Sequence, residues 1–279
     1  MPIVHHPLTF QLGPLPLTGF GIAVCLAFVL ANNIAERELE RRGHSDAARA
    51  IPDLIIASIV GTLVGGKLYF AAIVSHNIGD LFGRAGFVFW GGFIGSVVAN
   101  WLVIRHKKLS FVRIADVGGI CIAAGYAVGR TGCWAVGDDY GRPWNGPLSV
   151  MFPEGTPPST AQNMQQMFHI APPPNVAPDT VLAVHPTQLY EVTLGFAMFL
   201  ILWRYRDHRH AEGWLFGLYC ALAGIERFLI EFVRAKDDRF MGPFTLAQVI
   251  ALGIALGGLL WMQARRNVAP GRPGIYAAT

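Results

Sequence analysis

The sequence predicts an all-α polytopic membrane protein of about seven transmembrane helices, with the N-terminus outside and the C-terminus in the cytoplasm. Three observations carry this expectation. Only 14% of the 279 residues are charged, against about a quarter in a soluble domain. Hydrophobic residues make up 53% of the chain and the mean hydropathy is +0.41. Apolar runs of about 20 residues recur, long enough to cross a bilayer, and basic residues favour every second connection between them.

The first run, 17–35, has no Lys or Arg before it, so it reads as an inserted helix and not as a cleavable signal peptide. The second, 52–74, contains "GGKLYF", which puts Lys67 near mid-span. The third, 86–104, contains "FWGGFIG", whose Gly91 and Gly92 permit close helix approach or backbone contact with a ligand. The fourth, 114–128, is short, holds Asp116 near its inner end and runs into "GRTGCWAVGDDYG", residues 129–141. The fifth, 187–203, is entered through "HPTQLYE", where Pro186 suits a helix start and Thr187 or His185 a cap. The sixth and seventh are 213–232 and 244–262.

Fourteen of the 22 basic residues fall in the connections after spans one, three and five and in the tail. They include Arg41, Arg42, Lys107, Lys108, Arg209 and Arg272. Six, among them Arg84, Arg130, Arg142 and Arg234, lie on the other side. This bias sets the expected orientation and puts residues 129–141 at the outer face. The net charge of +4 is therefore an orientation signal, and no nucleic-acid partner is expected.

The chain reads as one integral-membrane domain, 1–279, interrupted by a long outer connection at 142–186. That segment holds ten of the 18 prolines and reads as an irregular head. Within it, 160–170 suits a short interfacial helix with its methionines and Phe168 toward lipid. Cys25, Cys121 and Cys220 lie within apolar runs and read as small buried residues.

Charged residues inside apolar spans are costly and point to function. In "GIERFLIEFVRAKDDRF", residues 224–240, Arg227 and Glu231 are four apart and share a helix face. Taken alone they equally suit a structural ion pair. Arg130 falls at the same depth. Two arginines there suggest a shared anion, because the guanidinium is a planar fork of donors suited to phosphate. Gly129 and Gly132 would let backbone N–H groups approach that anion. Gln188, Tyr190 and Glu191 would face the headgroup layer, and His185, Gln188 and Tyr190 are candidate pocket residues. Asp138, Asp139, His185 and Glu231 have no metal-site signature, and neither a metal nor a cofactor is expected.

Together these features resemble the prolipoprotein diacylglyceryl transferase family over nearly the whole chain. The resemblance rests on the seven spans, the glycine pair in span three, the Gly-Arg-x-Gly motif, "HPTQLYE" and "RFLIEFVR". It implies transfer of a diacylglyceryl group from phosphatidylglycerol to the cysteine thiol of a lipoprotein precursor, with release of glycerol phosphate. It also implies the bacterial cytoplasmic (inner) membrane, an active site toward its outer face, and as partners membrane lipids and the signal-peptide region of the precursor. Arg130, Arg227 and Glu231 would be the catalytic set. Phosphatidylglycerol would meet Arg130, Arg227, Gly91, Gly92, Gly129 and Gly132. Three positions depart from the family pattern: Phe20 stands for Tyr, Trp90 for His and Cys133 for Asn. The proton acceptor stays open among Asp138, Asp139, His185 and Glu231. Two rival readings are a paralogue that uses the same lipid with a different acceptor, and a non-enzymatic phospholipid-binding protein.

Overall fold

In the computed structural model, whose described residues are 2–13, 15–81, 83, 86–236 and 239–266, the chain is mostly helical. Arg84 and Arg272, both counted in the charge bias, lie outside the described residues. In chain order, strands β1 (Ile3–Val4), β2 (Thr9–Leu12) and β3 (Leu15–Thr18) precede helix α1 (Gly19–Arg41). The short α2 (Ser45–Arg49) leads to α3 (Ile51–Tyr69), which runs into a π-turn, Phe70–Val74, and then come α4 (Phe89–His106) and α5 (Phe111–Val136). Strand β4 (Val150–Met151), the short α6 (Ala161–Gln166) and strand β5 (Ala183–Val184) separate α5 from α7 (Thr187–Arg204). Helix α8 (Trp214–Ile230), strands β6 (Arg239–Met241) and β7 (Phe244–Thr245) and helix α9 (Leu246–Ala264) follow. Each of the seven long helices overlaps one predicted span. Four of them, α1, α3 with its π-turn, α5 and α9, are long and apolar enough to cross a membrane.

The described chain divides into two units, 32–117 and 1–31 with 118–279. In the first, α3 and α4 pack through facing glycines. A Cβ on Gly61 would lie 2.5 Å from the Gly95 carbonyl oxygen, and one on Gly65 2.3 Å from that of Gly91. Only glycine lets two helix backbones approach so closely. A Cβ on Gly92 would press on Phe87 and Thr62. Packing therefore accounts for both glycines of "FWGG". Asn100 Nδ2 donates to Ser58 Oγ across the same pair at 2.7 Å. Large apolar side chains such as Ile56, Leu63, Phe93 and Val98 stay exposed. An apolar surface of this extent is stable only against lipid or a partner.

Two ionic features of this unit differ from expectation. Lys67 sits in the last turn of α3, not at mid-span, and its Nζ donates to the Gly83 carbonyl at 2.5 Å. Glu38 is buried and pairs with both Arg41 and Arg42, so these two arginines also hold local structure. Asp116 is fully buried in α5.

In the second unit, α8 and α9 repeat the glycine device. A Cβ on Gly224 would lie 2.5 Å from the Ala251 carbonyl oxygen, and one on Gly258 2.6 Å from that of Gly217. Thr245 caps α9 in a capping box with Gln248, each side chain bonding the other's backbone N–H. The segment 142–186 is not irregular throughout. Strands β1, β4 and β5 form a small sheet. Phe152, Met164, Leu182 and Val184 are buried in a cluster with Tyr140, whose ring stacks on Phe152. Helix α6 forms where a short helix is expected, but Met164 faces this core and Phe168 packs against it; Met167 is exposed. Among the three apolar-run cysteines, Cys121 is buried, Cys220 half-buried and Cys25 exposed, so Cys25 departs from expectation.

Candidate active site

Helix α5 does not stop at the glycines of "GRTGCWAVG". It continues through Gly129 and Gly132 to Val136 and ends at Gly137, which takes the left-handed backbone (φ 68°). Arg130 therefore projects from a helix. The amides of Gly129 and Gly132 belong to the helical ladder and are not presented to a ligand, contrary to expectation. Gly132 has a packing role: a Cβ there would lie 2.8 Å from Ala23 Cβ of α1. Gly129 has open space where its Cβ would be, so it leaves room one residue from Arg130.

Beyond Gly137 the chain turns through two aspartates, with Asp139 also left-handed (φ 58°), a conformation Asp tolerates better than most residues. The turn is held from α7. Gln188 Nε2 donates to the Asp138 carbonyl at 2.7 Å, and Thr187 Oγ1 to the Asp139 carbonyl at 2.6 Å. Both side chains are fully buried. Thr187 thus holds the turn; Pro186 takes the N-cap position of α7, with no side-chain capping bond. His185 stacks on Trp144 with ring centroids 4.3 Å apart, and its Nδ1 lies 3.3 Å from the Tyr190 hydroxyl. Burial lowers the His185 pKa and so favours the neutral ring.

The charged groups form one network. Arg130 Nη1 donates to Asp139 Oδ2 at 2.7 Å, and its Nη2 to Glu191 Oε1 at 2.7 Å. The other Asp139 oxygen, Oδ1, accepts from Arg234 Nη2 at 2.6 Å. The Tyr126 hydroxyl lies 3.1 Å from Glu191 Oε1 and 3.0 Å from Glu226 Oε1. Arg130 Nη1 is also 3.4 Å from Cys133 Sγ. Its Nε is buried with no hydrogen-bond partner among the described residues.

Arg227 and Glu231 pair at 2.6 Å, as their spacing predicts. Thr245 Oγ1 donates to Glu231 Oε1 at 3.0 Å, which ties this pair to the cap of α9. Arg227 Nη1 is buried and has no hydrogen-bond partner among the described residues. Glu226 lies within electrostatic reach of both Arg130 and Arg227. The arginine that shares a carboxylate with Arg130, however, is Arg234.

The two aspartates have opposite electrostatics. Burial pushes the Asp139 carboxyl up, but Arg234 and Arg130 outweigh it and hold it below the ordinary value. Burial, and then the neighbouring Asp139 charge, push Asp138 above it. Asp138 Oδ1 accepts the Asp139 N–H at 2.7 Å. The structure thus brings together Arg130, Asp138, Asp139 and Gln188, with His185 and Tyr190 beside them. Gly91 and Gly92 belong to the other unit. Sequence reasoning missed Tyr126, Glu191 and Glu226 as members of the network. The one available signal was a carboxylate within an apolar run, as at Glu226.

A family model described as prolipoprotein diacylglyceryl transferase matches residues 7–264. Three similar proteins carry the name phosphatidylglycerol–prolipoprotein diacylglyceryl transferase. The one from Geobacter sulfurreducens is 30% identical, over 95% of this chain and 97% of its own. That from Oleidesulfovibrio alaskensis is 29% identical over 91% of each chain. That from Bordetella avium is 28% identical over 94% of this chain and 96% of its own.

Proposed function

The chain belongs to the prolipoprotein diacylglyceryl transferase family, and from that premise we propose that the Arg130 network is where phosphatidylglycerol gives up its diacylglyceryl group. The protein is a phosphatidylglycerol–prolipoprotein diacylglyceryl transferase of a bacterial membrane. The observation that carries the site assignment is the pair of guanidinium groups, Arg130 and Arg234, converging on one carboxylate at the end of a membrane-length apolar helix. A phosphodiester has the same charge as that carboxylate and the same two-oxygen reach.

In the reaction the precursor's cysteine thiolate attacks the glycerol carbon of the lipid. The carbon–oxygen bond to phosphate breaks, the thioether forms, and glycerol phosphate leaves with the extra negative charge. Arg130 and Arg227 hold the phosphate and stabilise the charge that grows on it. Glu231 and Thr245 orient Arg227. Tyr126, Glu191 and Glu226 support Arg130 from behind. The open space at Gly129 gives the headgroup room. Gly91 and Gly92 keep the α3–α4 pair tight.

The thiol must lose its proton, because the thiolate is the nucleophile. Of the four candidate acceptors, Asp139 is engaged by two arginines and Glu231 by Arg227. His185 is stacked on Trp144 and bonded to Tyr190. Burial and the neighbouring Asp139 charge hold the Asp138 carboxyl above its ordinary value, which favours proton acceptance. We therefore assign it the proton. Asp138→Asn is expected to lower kcat about a hundredfold or more. In the native protein kcat should fall as pH drops through a value above the ordinary carboxylate range, because the basic form is then lost. An Asp138→Asn variant with native kcat and an unchanged acid limb excludes the assignment.

We further propose that all seven long helices span the cytoplasmic membrane, with the N-terminus and the head at 142–186 outside and the C-terminus inside. The charge bias supports this orientation. The head then stands where a secreted precursor arrives, and we assign it contact with the signal-peptide region. A reporter inserted in the exposed stretch 173–175 should read as external, and one fused to the C-terminus as cytoplasmic. Both on one side would mean that the span count is wrong.

A further inference from the structure

We propose that Asp139 occupies the seat of the substrate phosphate in the lipid-free protein, and that lipid binding exchanges one anion for the other. The proposal rests on the transfer reading above. Arg130 has already committed both terminal nitrogens, Nη1 to Asp139 and Nη2 to Glu191. A phosphate that is to meet both forks of this arginine must displace one of these carboxylates.

Glu191 is not the one to leave. Its side chain is 1% exposed and is held by Tyr126 as well as by Arg130. Asp139 is 32% exposed, and its side-chain oxygens are held by Arg130 and Arg234. Its backbone is fixed independently, through Thr187 to its carbonyl and through Asp138 to its N–H. Rotation about the Asp139 side chain therefore frees both arginines without unravelling the turn.

Charge gives the same answer. Arg130 and Arg234 balance Asp139 and Glu191 in the structure as it stands. A phosphodiester seated on the same two guanidinium groups would face the Asp139 carboxylate across them, a like-charge contact that is disfavoured in a part-buried site. With Asp139 rotated out to solvent, the phosphodiester and Glu191 balance the two arginines again. Arg234 then becomes a phosphate contact. Asp139 becomes a specificity-determining residue, because a ligand must bring an anion that competes with a built-in one.

The test is titration of purified full-length protein, in neutral-lipid nanodiscs, with short-chain phosphatidylglycerol. Asp139→Asn removes the resident charge and should bind this lipid about tenfold more tightly than the native protein. Arg234→Ala should bind it about tenfold more weakly, the loss of one hydrogen bond to a charged group. Size-exclusion and melting profiles check that each variant is folded. The Arg234→Ala arm stands by itself if Asp139→Asn does not fold. Equal or weaker binding by folded Asp139→Asn overturns the exchange, as does native-like binding by Arg234→Ala. Transfer activity measured on the native protein separates the two readings. Transfer without the predicted affinity order removes the exchange alone. The affinity order without transfer supports the exchange and removes the transfer reading.

Discussion

Arg130→Ala is expected to slow diacylglyceryl transfer by about a hundred- to a thousandfold, which corresponds to roughly 3–4 kcal/mol of lost transition-state stabilisation. The side chain is the junction of the site, with one fork to Asp139 and the other to Glu191. Its loss removes donors assigned to the phosphate and leaves Glu191 buried without its cation. Arg130→Lys keeps the charge but not the planar fork, and should recover little of the rate. Arg209→Ala, at an exposed position between α7 and α8, should leave transfer unchanged. The measurement is transfer from labelled phosphatidylglycerol to a lipobox peptide, with protein level and folding checked in the same membranes. Near-native transfer by Arg130→Ala would return Arg130 to the role of a structural ion pair.

The second large effect is expected at Glu191, and it falls on stability as well as on rate. Glu191 is buried and accepts from both Arg130 and Tyr126. Removing one partner of a buried ion pair typically costs about 3–5 kcal/mol, because the remaining charge is left uncompensated. Glu191→Ala should therefore lower the melting temperature and abolish most transfer. Glu191→Gln keeps the shape and should melt closer to the native protein while still losing rate. Because Arg130 and Glu191 share one interaction, Arg130→Ala with Glu191→Ala should cost less than the sum of the two singles. Additive losses would show that the two residues act separately.

The helical frame was legible because each long helix overlaps an apolar run, and four of these helices are long and apolar enough to cross a membrane. The end of α5 was not legible. Gly129 and Gly132 look like helix breakers in one dimension, yet a glycine within a helix costs only about 1 kcal/mol, which the packing of Gly132 against α1 offsets. The charge pair Arg227–Glu231 could be read from a spacing of four. The Asp139 bridge between Arg130 and Arg234 could not, because Asp139 and Arg234 are 95 positions apart and meet through a turn with no local signature. Tyr126, Glu191 and Glu226 were missed for a related reason. Each sits in a helix whose apolar pattern dominates the local signal, and their meeting is a product of helix packing. The short strands within 142–186 were not legible because they are two residues long and pair with distant segments.

Lipid-to-thiol transfer is assigned to the Arg130 network. The most direct measurement is the intact mass of a lipobox-cysteine peptide after incubation with the purified protein and phosphatidylglycerol of defined chain length. The account predicts a mass increase equal to one diacylglyceryl group, located on the cysteine sulfur, with glycerol phosphate released in equal amount, and loss of both products in Arg130→Ala. An unmodified peptide with folded native protein that still binds phosphatidylglycerol would contradict it, and would point to a different acceptor for the same lipid.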